Sequence, residues 1–289
     1  MIKRYLFLIL TNILVTASLM ILGTLVLSAL GIELGSYGQI FVMSFAIGMG
    51  GSFASLFLSK FLAKSSMGLK EVARGSELEQ KVHTLARRVG LTKMPEVYIF
   101  ESSDMNAFAT GSGRNNSLVA VSTGLMAGMN EEEVEGVLAH EVSHIASGDM
   151  VTMTLVQGVA NAFAVFLSFV ITNIIMNALR GDDDDAPSGL GQGFMGYFIR
   201  NFIYGIVSFL ALPLVMYVSR WREFRADAGA ATLVGKEKMI SALERLKQHG
   251  EPSGKQDKSI EVMGINSGSS FNHLFASHPP LEKRVQALR

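Results

Sequence analysis

His140-Glu141-Val142-Ser143-His144 is the stretch on which the reading of this chain turns. Residues four apart on a helix share a face, so both imidazoles can point at one metal ion. Glu141 stands one residue past the first histidine. There its carboxylate can act on a water held by the metal rather than bind the metal itself. Zinc lowers the pKa of such a water toward neutrality, and the carboxylate takes its proton and later passes it to a leaving amine. The helix is expected without the motif, because Val134, Val137, Leu138 and Ile145 fall at helical spacing. Asn130 is a good N-cap, Glu133 three residues on completes a capping-box start, and Glu131 and Glu132 suit the positive end of the dipole. The plain alternative is a helix carrying two solvated histidines.

A catalytic zinc takes three protein ligands and keeps one position open. The sequence has no cysteine, which removes disulfides, thiolate metal sites and a Cys nucleophile. The third ligand must then be a histidine or a carboxylate. Glu223 is the best candidate, in Glu223-Phe224-Arg225-Ala226-Asp227. Asp227 lies four residues on and shares its helix face. A carboxylate there could accept a hydrogen bond from the second nitrogen of a ligand histidine, fixing its tautomer and orientation. The other reading is a surface acid pair interleaved with Arg222 and Arg225.

Between the two motifs lie long apolar stretches. Four runs are long enough to span a bilayer: residues 5–30, 39–58, 151–179 and 193–218. The first follows Lys3 and Arg4 and could pass for a secretory signal, but it is too long for one and is expected to be a retained helix. Arg200, early in the fourth run, can snorkel to the interface, and Pro213 is expected to kink that helix. The alternative for the third and fourth runs is a hydrophobic hairpin buried in a soluble domain.

Basic residues set the orientation. Lys3 and Arg4 precede the first run, Lys60, Lys64 and Lys70 follow the second, and Arg220, Arg222 and Arg225 follow the fourth. The loop after the third run instead carries the acid run 182–185. The positive-inside rule puts both termini and both charged blocks in the cytoplasm. Two crossings then separate His144 from Glu223, which returns both motifs to one side, with the metal near the membrane surface. The balance of 25 basic and 25 acidic residues argues against a nucleic-acid partner, which would need phosphate-neutralising charge.

The expected architecture is an α+β integral membrane protein with four transmembrane helices and a cytoplasmic catalytic domain. Residues 1–62 hold two spans, 63–150 the first part of the catalytic domain, 151–218 a hairpin with its acidic loop, and 219–289 the second part. In the first part, Leu78, Val82, Leu85 and Val89 predict an amphipathic helix stopped by Gly90. Strands are expected at 96–100, 106–110 and 118–122, with a Gly/Ser/Asn turn between the last two. In the second part, helices are expected at 221–234 and 236–248, then a Gly/Ser-rich loop and a short helix from near Pro280. His83 and His249 read as solvated.

With these residues in view, the chain resembles the HtpX-type membrane zinc metalloproteases, of the family that includes the type I CAAX prenyl proteases. The resemblance rests on the two leading spans, His140-Glu141-Val142-Ser143-His144, the hydrophobic hairpin, Glu223 with Asp227, and Ser277-His278-Pro279-Pro280. It implies a gluzincin fold, one zinc ion per subunit on His140, His144 and Glu223, and Glu141 as general base. It implies that a strand at Asn106, Ala107, Phe108 and Ala109 receives substrate backbone, for which a plain sheet strand is the equal alternative. It also implies that His278, and Arg284 with it, supports the transition state; by itself His278 reads as a packing or surface histidine. The activity implied is cleavage of misfolded or surplus membrane proteins at the bacterial inner membrane, as part of a stress response. A maturation protease for specific membrane or lipidated substrates is the first alternative, and a non-catalytic zinc-binding scaffold the second. An intact Glu141 argues against the scaffold.

Overall fold

The computed structural model describes residues 36–180, 190–249 and 278–289. The expected span at 5–30, the acid run 182–185 and the loop 250–270 lie outside the described residues. The chain divides into two compact units, Met1–Ser55 with Thr154–Val215 and Leu56–Met153 with Met216–Arg289.

Three helices contribute to the first unit: α1 (Ser36–Ser66), α5 (Asp149–Arg180) and α6 (Leu190–Val234). Stretches Gly38–Ser66, Asp149–Met176 and Gly193–Val234 are each long and apolar enough to cross a membrane. Small residues let α1 and α5 approach. A Cβ on Gly48 would run into the backbone of Ala162, and one on Gly158 into Met49. Close backbone contact of this kind, with Asn161 donating to Ser52 Oγ at 3.4 Å, is how helices associate where no hydrophobic effect drives them. Large apolar side chains such as Phe163, Phe202 and Leu210 remain exposed, as a lipid-facing surface requires. The sequence separates a span at 193–218 from a helix at 221–234, but α6 is continuous through both. Nothing at Ser219-Arg220 forces a stop, and Pro213 sits inside the helix without ending it.

The second unit is built on a four-stranded sheet ordered β1-β2-β4-β3, from β1 (Lys70–Glu71), β2 (Glu96–Phe100), β3 (Ala107–Gly113) and β4 (Asn116–Ser122). β2 and β4 are parallel; the other pairs are antiparallel. Alternation divides the faces. Val97, Val119 and Val121 pack with α2 (Glu77–Arg88) and α4 (Glu131–Ser147), whereas Tyr98, Phe100, Leu118 and Ala120 pack on the other side with Phe108. Short α3 (Thr123–Gly128) leads from β4 toward α4, and α7 (Lys236–His249) and α8 (Leu281–Leu288) complete the helical layer.

The helix signals hold in detail. Gly90 follows α2 with φ 73, the left-handed conformation a glycine accepts without strain. Asn130 and Glu133 form the reciprocal capping box at the start of α4, and Gly148 closes it with φ 68. A Cβ on Gly136 would lie 2.8 Å from Lys238 O, so glycine there lets α4 lie directly on α7. Two details differ from expectation. β3 begins at Ala107, because the Asn106 N–H donates to Ser122 Oγ rather than to a strand partner. His83 is half-buried, with Nε2 3.1 Å from Pro95 O.

Candidate metal centre

The buried faces of α4 and α6 bring three donors together. His140 and His144 project from α4, with Nε2 atoms 3.1 Å apart. Glu223 projects from α6 between them: Oε2 is 3.5 Å from His140 Nε2 and Oε1 is 3.3 Å from His144 Nε2. Close packing permits this approach, since a Cβ on Gly229 of α6 would lie 2.8 Å from Ser143 Oγ of α4. Ser143 in turn donates to Ala139 O within its own helix. All three donor residues are buried.

The donor set fits a metal ion. Two zinc–nitrogen bonds of about 2.05 Å at the tetrahedral angle put their nitrogens about 3.3 Å apart, close to the separation found. Glu223 Oε2 is buried and makes no hydrogen bond among the described residues, although His278 Nδ1 lies 2.9 Å away and Arg284 Nη1 3.5 Å away. A buried carboxylate oxygen without a hydrogen bond is costly unless a cation satisfies it.

Each imidazole is held from behind by a carboxylate. His140 Nδ1 is 2.9 Å from Asp227 Oδ1, and His144 Nδ1 is 2.6 Å from Asp149 Oδ2. A neutral imidazole that donates from Nδ1 keeps the Nε2 lone pair for a metal. The same acids leave the cluster rich in negative charge. Burial works against protonating His140, but Asp227 and then Glu223 outweigh it and raise its pKa. At His144 burial is again opposed, by Asp149 first and Glu223 next, and the pKa rises to about 9. The neighbouring carboxylates thus favour positive charge at both imidazoles, whether carried by a proton or by a metal ion.

Arg284 supplies the counter-charge. It comes from α8 and is buried, with Nε 2.8 Å from Asp227 Oδ2 and Nη2 2.6 Å from Oδ1. Glu141 is half-buried beside His140, and its charge is felt at both His144 and Arg284. His278 is the exposed member, 62% accessible in its side chain. The proposed substrate strand, β3, is the edge of the sheet and packs with Ala107 and Ala109 against the core that also holds α4. The sequence reading missed Asp149. Its only signal was a carboxylate five residues after His144, directly beyond a helix-closing glycine.

Residues 73–289 match the model of peptidase family M48. The chain is similar to Protease HtpX of Shewanella pealeana (strain ATCC 700345 / ANG-SQ1), 45% identical over 295 residues covering 99% of each chain. It is 47% identical to Protease HtpX of Shewanella baltica (strain OS185), again over 99% of each. Among solved structures, the crystal structure of S. mikatae Ste24p shares its fold with a TM-score of 0.65 at 20% identity; the match takes in 100% of this chain and 65% of that one.

Proposed function

The chain belongs to peptidase family M48 and is a membrane metalloprotease, and from that premise we propose that it hydrolyses peptide bonds with one zinc ion held by His140, His144 and Glu223. The observation that carries the assignment is the convergence of three buried donors, with both imidazoles backed by carboxylates. A bound zinc supplies Lewis acidity and draws the pKa of a water toward 7. Glu141 takes the proton of the attacking water on its carboxylate and returns it to the leaving amine. Asp227 fixes the tautomer of His140, and Arg284 holds Asp227 in place and offsets its charge. His278, exposed beside Glu223, is suited to donate a hydrogen bond to the developing oxyanion.

The substrate lies against β3. Ser122 N–H donates to Asn106 O at 2.8 Å, and this sets the phase of the antiparallel pair. Residue 106, Phe108 and Thr110 therefore turn their backbone toward β4, while Ala107 and Ala109 turn theirs toward the edge that is unpaired among the described residues. An extended peptide pairs there through its own backbone, so affinity depends little on its sequence. This suits removal of misfolded or surplus membrane proteins. Ala107→Pro removes an outward donor and is expected to raise KM for peptide cleavage several-fold with zinc content unchanged. Unaltered kcat/KM in that folded variant rules out pairing at this position.

Residues 63–150 and 219–289 are proposed as the catalytic domain, facing the cytoplasm of a bacterial inner membrane. The basic residues after the second and fourth apolar runs support this side, with four spans in all. The direct test is casein cleavage by the full chain in detergent, alongside its zinc content. A chelator is expected to abolish cleavage and zinc to restore it. Chelator-resistant cleavage overturns the zinc mechanism.

A further inference from the structure

The two ligand histidines have matching supports. Behind His140 stand Asp227 and then Arg284. Behind His144 stands Asp149, which is 1% exposed and backed by two arginines of α6. Asp149 Oδ2 is 2.6 Å from His144 Nδ1 and 3.3 Å from Arg222 Nε; Oδ1 is 3.4 Å from Arg225 Nη2. Arg225 also donates to Ser147 O at 3.5 Å and lies over the Trp221 ring. A carboxylate this buried needs such charge partners, and the imidazole proton gives it a directed hydrogen bond.

We propose that Asp149, anchored by Arg222 and Arg225, is a positioning residue for His144 and ties the second metal ligand to the helix that bears the third. The placement of these residues carries the argument. Gly148, with φ 68, ends α4 and turns the chain so that Asp149 points back at His144 from the first turn of α5. Arg222 adjoins Glu223 in sequence, so the ion pair with Asp149 fixes α6 at the residue next to its ligand. His144, Asp149, Arg222 and Glu223 thus form a closed ring of contacts around one side of the metal centre. Losing the carboxylate frees the His144 ring to rotate, removes the lock on its tautomer and lowers its basicity toward a metal.

This rests on the zinc assignment above, so its test reads the metal directly. Full-length wild type, Asp149→Ala and Asp149→Asn are purified in detergent and stripped of metal. Folding is checked by circular dichroism, zinc affinity by chelator competition, and coordination by the visible bands of the cobalt-substituted protein. Asp149→Ala is expected to bind zinc about 10–100-fold more weakly than wild type, with shifted and weakened cobalt bands. Asp149→Asn, nearly isosteric, is expected to fall between the two, because an amide accepts the Nδ1 hydrogen bond but lacks the charge that polarises it. Wild-type affinity and wild-type bands in either folded variant overturn the proposal, and Asp149→Asn decides it if Asp149→Ala does not fold. Failure of wild type itself to bind zinc or cobalt would instead sink the metal assignment on which the proposal stands.

Discussion

Glu141→Gln is expected to keep its zinc and to lose peptidase activity by about 10²–10⁴-fold, the range that general acid–base catalysis contributes. The amide matches the carboxylate in shape, and Glu141 lies outside the cluster of three donors. Metal content should therefore be unchanged. What disappears is the group that accepts a proton from water and delivers it to nitrogen. Casein cleavage and zinc content measured on one preparation separate these effects. Substantial activity in the variant removes Glu141 as the base. A variant inactive because it has lost zinc would place Glu141 among the ligands instead.

Glu223→Ala is expected to have the largest effect on the metal itself. It takes away one of three protein ligands, and it leaves His140 and His144 facing each other 3.1 Å apart with no carboxylate between them. Zinc should be lost on dialysis. Asp227→Ala should weaken binding less, by about 10–100-fold, because His140 keeps its ligand nitrogen and loses only the partner at Nδ1. The buried Arg284 then lacks its bidentate acceptor, so this variant should also unfold at lower temperature. Equal, wild-type zinc content in both variants would remove Glu223 from the site.

Local chemistry made much of this legible in the sequence. The interval from Asn130 to Gly148 declared a helix at both ends and by its apolar spacing, and the structure has that helix, capping box included. Glu223 and Asp227 could be paired because i, i+4 is a fixed distance on a helix. Asp149 could not be found in that way. A left-handed glycine separates it from His144, and helical periodicity says nothing about direction beyond such a turn. Arg284 lies 144 residues from His140, and only the family resemblance pointed to it. β1 has two residues, too few for any alternation to register. The continuity of α6 was missed for a related reason: a change from apolar to charged composition at Ser219 marks a change of surroundings, not of backbone.

The late position of Arg284 matters while the protein is being made. Translation delivers the pieces of the centre in a fixed sequence: both histidines, then two long apolar segments, then Glu223 with Asp227, and Arg284 only after a further 57 residues. A nascent chain that has just released α4 from the ribosome holds two imidazoles and no third ligand. One that has released α6 still has Asp227 without its guanidinium partner. Synthesis in this order leaves the cluster of three donors incomplete until both apolar segments between His144 and Glu223 have been made, and the pair of Asp227 with Arg284 closes last.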